Sequence, residues 1–165
     1  KLILSFNNLV KLDKKIILLI AGNDAGEKFN LVKLVNDLGI ENNVKFVGFL
    51  DMTNKIRFLK GANLFVCISK SENFANVVLE ASACKVPSIV SKEVPWKLLE
   101  KYNCGKQINS TTKNITKTMK EYLYHKREKD TFRDFTGLLK MYKHENLSSF
   151  TNNNYMKLIN DEIFQ

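Results

Sequence analysis

The stretch Lys14-Lys15-Ile16-Ile17-Leu18-Leu19-Ile20-Ala21-Gly22 decides how this chain is read. An apolar run from Ile16 to Ala21 stands between two lysines and a glycine. A run this short and this rich in isoleucine fits a fully buried strand of a parallel sheet. The residues after it form a turn cluster, Gly22-Asn23-Asp24-Ala25-Gly26. Leu31, Leu34, Val35 and Leu38 then recur at helical spacing and stop at Gly39, a residue suited to the left-handed position beyond a helix. A second short strand, Val44–Val47, is broken by Gly48. Strand, helix and strand make one βαβ unit.

The same alternation continues downstream. Asp51 or Thr53 caps a helix through Ile56, Leu59 and Lys60, and Leu64–Ile68 is a third strand. A polar loop from Ser69 leads to Asn76, an expected N-cap for a helix from Val77 to Cys84. Pro87 opens a fourth strand at Ser88–Val90, and Pro95 a short helix at Trp96–Tyr102. Lys106–Ile108 is a weak edge strand. From Thr112 onward only helices are expected, around 113–125, 128–142 and 146–163. Upstream, residues 2–12 carry apolar positions at helical spacing. The reading is an α/β fold, a doubly wound parallel sheet in one domain over 1–165, with a helical tail from about 112. Ligands of such sheets bind at the carboxyl ends of the strands, so the loops after Ala21, Val47, Ile68 and Val90 are the places to search.

Composition narrows the classes. The chain has 165 residues, 44% hydrophobic and 26% charged, an ordinary globular balance. Its longest apolar run is far shorter than the roughly 18–20 residues of a membrane span. The cysteines Cys67, Cys84 and Cys104 form no CxxC pair, which argues against a zinc site or disulfide framework and fits a reducing cytoplasm. The chain starts on Lys1 in the middle of a helical pattern, so it is expected to be a piece of a longer protein. The net charge of +9 attracts anions. It is spread between Lys55 and Lys143 among acids such as Glu121, Glu128 and Asp130, the pattern of solvated helix faces. No aromatic-basic or zinc-finger motif accompanies it, and no nucleic-acid partner is expected.

The loop after the third strand reads Ser69-Lys70-Ser71-Glu72-Asn73-Phe74-Ala75-Asn76-Val77-Val78-Leu79-Glu80-Ala81. A strand end here meets a helix start within a few residues. The free N–H groups of Val77 to Glu80 and the positive end of the helix dipole make an anion site suited to phosphate. Glu72 and Glu80 flank it, and carboxylates accept well from vicinal hydroxyls. By spacing alone, the same pair also reads as a first-turn acid on its dipole and an exposed loop residue.

The segment S-E-N-F-A-N-V-V-L-E-A resembles the E-x7-E motif of retaining glycosyltransferases of the GT-B fold, especially glycosyltransferase family 4 (glycosyl transferases group 1), usually seen as E-G-F-G-x-x-x-x-E-A. The surroundings agree in order: Ile20-Ala21-Gly22, then Val44–Leu50 (V-K-F-V-G-F-L), Ala62-Asn63-Leu64-Phe65, Ala83–Val90, Val94-Pro95-Trp96 and Asn103-Cys104-Gly105. The likeness spans roughly residues 1–125. It implies the carboxyl-terminal, Rossmann-like half of a GT-B enzyme that moves a sugar from a nucleoside diphosphate sugar to a glycan or lipid acceptor with retention.

By the same resemblance, Glu72 serves as the catalytic-site carboxylate on the donor sugar and Glu80 accepts from the ribose hydroxyls. The amides around Asn73, Phe74, Ala75, Asn76 and Val77 hold the diphosphate. Val47–Leu50, with Gly48, Phe49 and Leu50, lines the base pocket, and Gly22 and Asn23 lie near the donor. The donor, of UDP or GDP type, is a substrate; no cofactor and no metal are implied. The acceptor belongs mainly to an amino-terminal domain absent from this chain. The resemblance further implies glycan synthesis in the cytoplasm, with peripheral contact to the inner membrane face.

There are departures. Asn73 and Ala75 stand where two glycines are usual, and Lys85 replaces a frequent glycine at the helix end. The family's phosphate-binding Arg and Lys fall upstream of Lys1; Lys28 and Lys70 are weak stand-ins. His125 and His144 are expected on the surface, the three thiols inert, and Trp96 in the core, while Phe74 is divided between packing and donor contact. The rival reading is a non-catalytic basic α/β module that binds RNA or an acidic membrane surface. It predicts steep salt dependence and indifference to Glu72→Ala.

Overall fold

The computed structural model describes residues 1–72, 75–124 and 133–145. In chain order it contains α1 (Leu2–Val10), β1 (Leu18–Ala21), α2 (Lys28–Asp37), β2 (Val44–Gly48), α3 (Met52–Lys60) and β3 (Phe65–Cys67). There follow α4 (Asn76–Ala83), β4 (Ser88–Ser91), α5 (Leu98–Lys101), β5 (Gly105–Ile108), α6 (Thr112–Tyr124) and α7 (Phe135–Glu145). Strands and helices alternate as the apolar periodicities require, and every strand pair is parallel.

Local chemistry sets the boundaries. The Asp51 carboxylate accepts from the Asn54 N–H at 2.9 Å and so caps α3. Gly39 follows α2 with φ +65°, the left-handed conformation expected of it. The buried Asn43 amide donates to Lys14 O (2.9 Å) and Ile16 O (2.8 Å), which pins the entry of β1 to the entry of β2. Asp134 accepts from the Gly137 N–H at 2.7 Å and caps α7. That helix therefore begins later than the expected 128. The expected 146–163 helix and His125 lie outside the described residues, and His144 is placed only by its backbone within α7.

Two expectations are corrected. The single sheet is divided: β1 pairs with β2, β3–β4–β5 forms a second sheet, and no ladder joins β1 to β3 among the described residues. Side chains join the halves instead. One apolar cluster takes Phe6 and Leu9 from α1, Ile20 from β1, Val66 from β3, Ile89 from β4 and Ile115 from α6. The first strand is also not fully buried. It alternates, with Leu19 46% exposed, because helices cover only the face bearing Leu18 and Ile20. The short helix is smaller than expected, and Pro95 stands outside it.

The carboxyl-terminal helices are structural. Phe135, Leu138 and Leu139 of α7 pack with Val78, Leu79, Trp96 and Leu99, so Trp96 is a core residue as expected. The Thr116 hydroxyl of α6 donates to Ser5 O at 3.2 Å, tying α6 to α1. No described helix is long and apolar enough to cross a membrane.

Candidate functional site

Parallel pairing puts the carboxyl ends of neighbouring strands at one edge. At the end of the first sheet, Gly22 (φ +137°) donates its N–H to Gly48 O at 2.8 Å, and Gly48 itself has φ +73°. Both backbones turn in a way that L side chains rarely adopt. The two turns frame a shallow cavity of about 280 Å3 lined by Gly22, Asn23, Asp24, Lys28, Gly48 and Phe49, among others. The Asp24 carboxylate accepts from the N–H groups of Lys28 (3.1 Å) and Gly26 (2.8 Å), and these bonds hold its pKa below the ordinary value. Leu50 is half-buried beside this cavity in sequence but not part of its lining.

At the end of the second sheet the loop is anchored by a hydroxyl. Ser91 on β4 donates to Ser69 O (2.6 Å) and accepts from the Ser69 N–H (3.1 Å), so the loop leaves β3 in a fixed direction. Glu72 is exposed. Burial, and behind it the Glu72 charge, pushes the Cys67 thiol up to about 11. Burial and the Asp134 charge push Cys104 to about 12, so both thiols are inert at neutral pH, as expected. Asn73 and Phe74 lie outside the described residues.

The helix start differs from expectation in a useful way. Ala75, not Asn76, is the N-cap of α4; it sits in the left-handed region (φ +47°), and no side chain caps the helix. Val78 N–H is turned inward to Ala75 O at 2.8 Å and is not available to a ligand. Asn76 is exposed and Val77 half-exposed at the first turn. The left-handed Ala75 explains the usual glycine there: without a Cβ that conformation is free of strain. Lys85, the other glycine substitute, is also left-handed at φ +59°.

Glu80 is the chemically unusual member. It is 2% exposed, and its Oε1 accepts from Lys55 Nζ of α3 at 2.7 Å. Its Oε2 is buried and has no hydrogen-bond partner. A buried carboxylate oxygen left in that state costs on the order of 1–3 kcal/mol. Lys55 was missed in the sequence, where it passed for the edge of a solvated basic face. The signal was its place four residues before the buried Leu59, on the inward side of α3. The structure thus gathers the predicted residues in two groups. Gly22, Asn23, Gly48 and Phe49 line the cavity; Glu72 lies in the loop after β3, Ala75 caps α4, and Asn76, Val77 and Glu80 belong to α4. Among the described residues, no group of three His, Cys, Asp or Glu side chains is arranged to hold a metal ion.

A Rossmann-like α/β domain with glycine turns and a strand-to-helix carboxylate turn at its strand ends is the architecture of the GT-B glycosyltransferase half-domain, and solved structures bear out the fold. The carboxyl-terminal domain of a glycosyl transferase group 1 protein (LpcC) from Francisella tularensis matches 74% of this chain and 67% of its own, with TM-score 0.66 and 22% identity. HepE from Anabaena, solved with UDP and glucose, matches 90% of this chain and 44% of its own, with TM-score 0.65 and 20% identity. The chain belongs to the family described as glycosyl transferases group 1, whose model matches residues 1–126. A curated relative is the lipopolysaccharide core biosynthesis glycosyltransferase LpsE of Rhizobium meliloti (strain 1021), 38% identical over 69 residues, which is 42% of this chain and 20% of LpsE. Another is the N-acetyl-alpha-D-glucosaminyl L-malate synthase of Bacillus anthracis, 36% identical over 81 residues, which is 49% of this chain and 20% of that enzyme. The matched stretches therefore span about a fifth of the length of these relatives.

Proposed function

We propose that this domain binds the nucleoside diphosphate sugar of a retaining glycosyltransferase, of family 4 type, with the acceptor held mainly by another domain of a longer protein. The observation that carries the reading is Glu80: a buried carboxylate with one oxygen unpartnered, eight residues after Glu72, at the start of a strand-end helix. In this reading Oε2 of Glu80 accepts from the ribose hydroxyls and the exposed Glu72 meets the donor-sugar hydroxyls. The diphosphate lies at the amides of the Ala75–Val77 turn, where the helix dipole stabilises the charge that grows on the leaving group. Asn73 and Phe74, outside the described residues, are the further donor-contact residues of this reading. The glycine cavity of Gly22, Asn23, Gly48 and Phe49, with Leu50 next in sequence, takes the base. Family membership supports the reading, as does the presence of UDP in the related HepE. The reaction needs no cofactor besides the donor, and its place is the cytoplasm, at the membrane's inner face when the acceptor is a lipid.

Calorimetric titration of the full-length protein with UDP- and GDP-sugars tests this. One of the two classes is expected to bind, and Glu80→Ala to weaken it by tenfold or more. No binding to either class, or an unaffected Glu80→Ala variant, would overturn the reading. RNA or anionic vesicles binding with steep salt dependence, untouched by Glu72→Ala, would point to the rival module.

A further inference from the structure

The ion pair beneath the β3–α4 turn has a feature that family membership alone does not supply. Lys55 and Glu80 are 25 residues apart, on different helices, and meet at 2.7 Å. Lys55 keeps 27% of its side chain exposed, whereas Glu80 is all but closed off. Lys55 saturates one carboxylate oxygen only. The other oxygen is buried and unpartnered. A carboxylate held by one oxygen cannot turn its plane freely, and each oxygen carries two acceptor lone pairs. What remains is a single oriented acceptor for whatever donor group reaches it.

The position of Lys55 adds a second role. It is the fourth residue of α3, the helix that follows the cavity-lining Gly48 and Phe49, and Asp51 fixes that helix start through the Asn54 N–H and the Asn54 side-chain amide (2.8 Å). The pair therefore links the strand-end segment of the first sheet to the carboxylate turn of the second.

We propose that Lys55 is a positioning residue: by clamping Oε1 of Glu80 it presents Oε2 to the donor's ribose diol and so sets the preference for ribonucleotides. This rests on the donor-binding reading of Glu80. The full-length protein is titrated with UDP and GDP and with their 2′,3′-dideoxy counterparts, which lack the diol and keep base and diphosphate. Charge-assisted hydrogen bonds of this kind make the wild type prefer the ribonucleotide by roughly 10- to 100-fold. Lys55→Met is expected to shrink that preference at least fivefold while leaving dideoxynucleotide affinity within twofold, and Lys55→Arg to restore most of it. In a Glu80→Gln background, Lys55→Met should then change the preference little. Thermal melting runs beside each titration, and Lys55→Arg with Glu80→Gln carries the test if the Met variant does not fold. A wild type that binds ribo- and dideoxynucleotides alike sinks the Glu80 reading itself. A wild type that discriminates, with Lys55→Met discriminating equally well, leaves that reading standing and overturns the role of Lys55.

Discussion

The two sheets of this domain are built from similar apolar strands and are held in different ways. In the second, β4 is buried at every position, between β3 and β5 and under α4, α6 and α7. In the first, β1 and β2 alternate between covered and open positions, and Leu19, Val47 and Phe49 stand exposed. Both sheets pair in parallel, the first with a register shift between Ile20 and Ala21; cover on the second face is the larger difference. The rigid sheet carries the buried carboxylate and the turn whose direction Ser91 sets. The open sheet carries the glycine-framed cavity, whose walls are exposed.

Substitutions separate the halves. Trp96, 1% exposed among Val78, Leu99 and Leu138, should cost about 3–5 kcal/mol when changed to Ala, read by urea denaturation. Phe49→Ala at a 70% exposed position should cost no more than about 0.5 kcal/mol in the same assay. Equal losses would mean that the first sheet is as tightly cored as the second. Next comes Gly105→Ala: a Cβ there would lie 2.0 Å from Ser88 O, pushing β5 off β4, and a loss of about 2–3 kcal/mol is expected. Gly22→Ala meets no neighbouring atom and acts only through its positive φ, so it should cost about 1–2 kcal/mol.

Lys85→Gly should raise stability by about 1 kcal/mol, because it relieves a left-handed backbone at the end of α4. An unchanged melting curve would mean that the added chain entropy of glycine offsets the relief. A last effect is electrostatic and confined to alkaline pH. Folding raises Cys67 and Cys104 above their ordinary value of 9.0, so the native state holds these protons more tightly than the unfolded one. That contribution is complete below about pH 9 and fades as pH climbs through about 11 to 12. Replacing both thiols with Ala should flatten this alkaline decline, measured as midpoint denaturant against pH.

Much of this was legible before any coordinates. The apolar runs at Leu18, Val44, Phe65, Ser88 and Lys106 became strands within two residues of expectation, because short β-rich runs between turn residues have few other places to go. Asp51 and Gly39 took the end positions that their side chains, or lack of one, favour. Ala75 and Lys85 departed from the family's glycines at two places where the backbone proved left-handed. Asn76 failed as a cap because the turn was completed one residue earlier. Lys55 was hidden by its type: a lysine reads as solvent-facing until its partner is known.

The sequence by itself determined the order of strands and helices, the parallel sense of the sheets and the family, and it singled out Glu72 and Glu80 as candidates. Those depend on periodicity, turn chemistry and local motifs, all of which act over a few residues. Only the tertiary structure decided that the sheet divides between β1 and β3, that one sheet is open on a face, and that Glu80 is buried with one oxygen held by Lys55 and the other bare. Each of these is set by residues far apart in the chain meeting in space, and no local pattern encodes such a meeting.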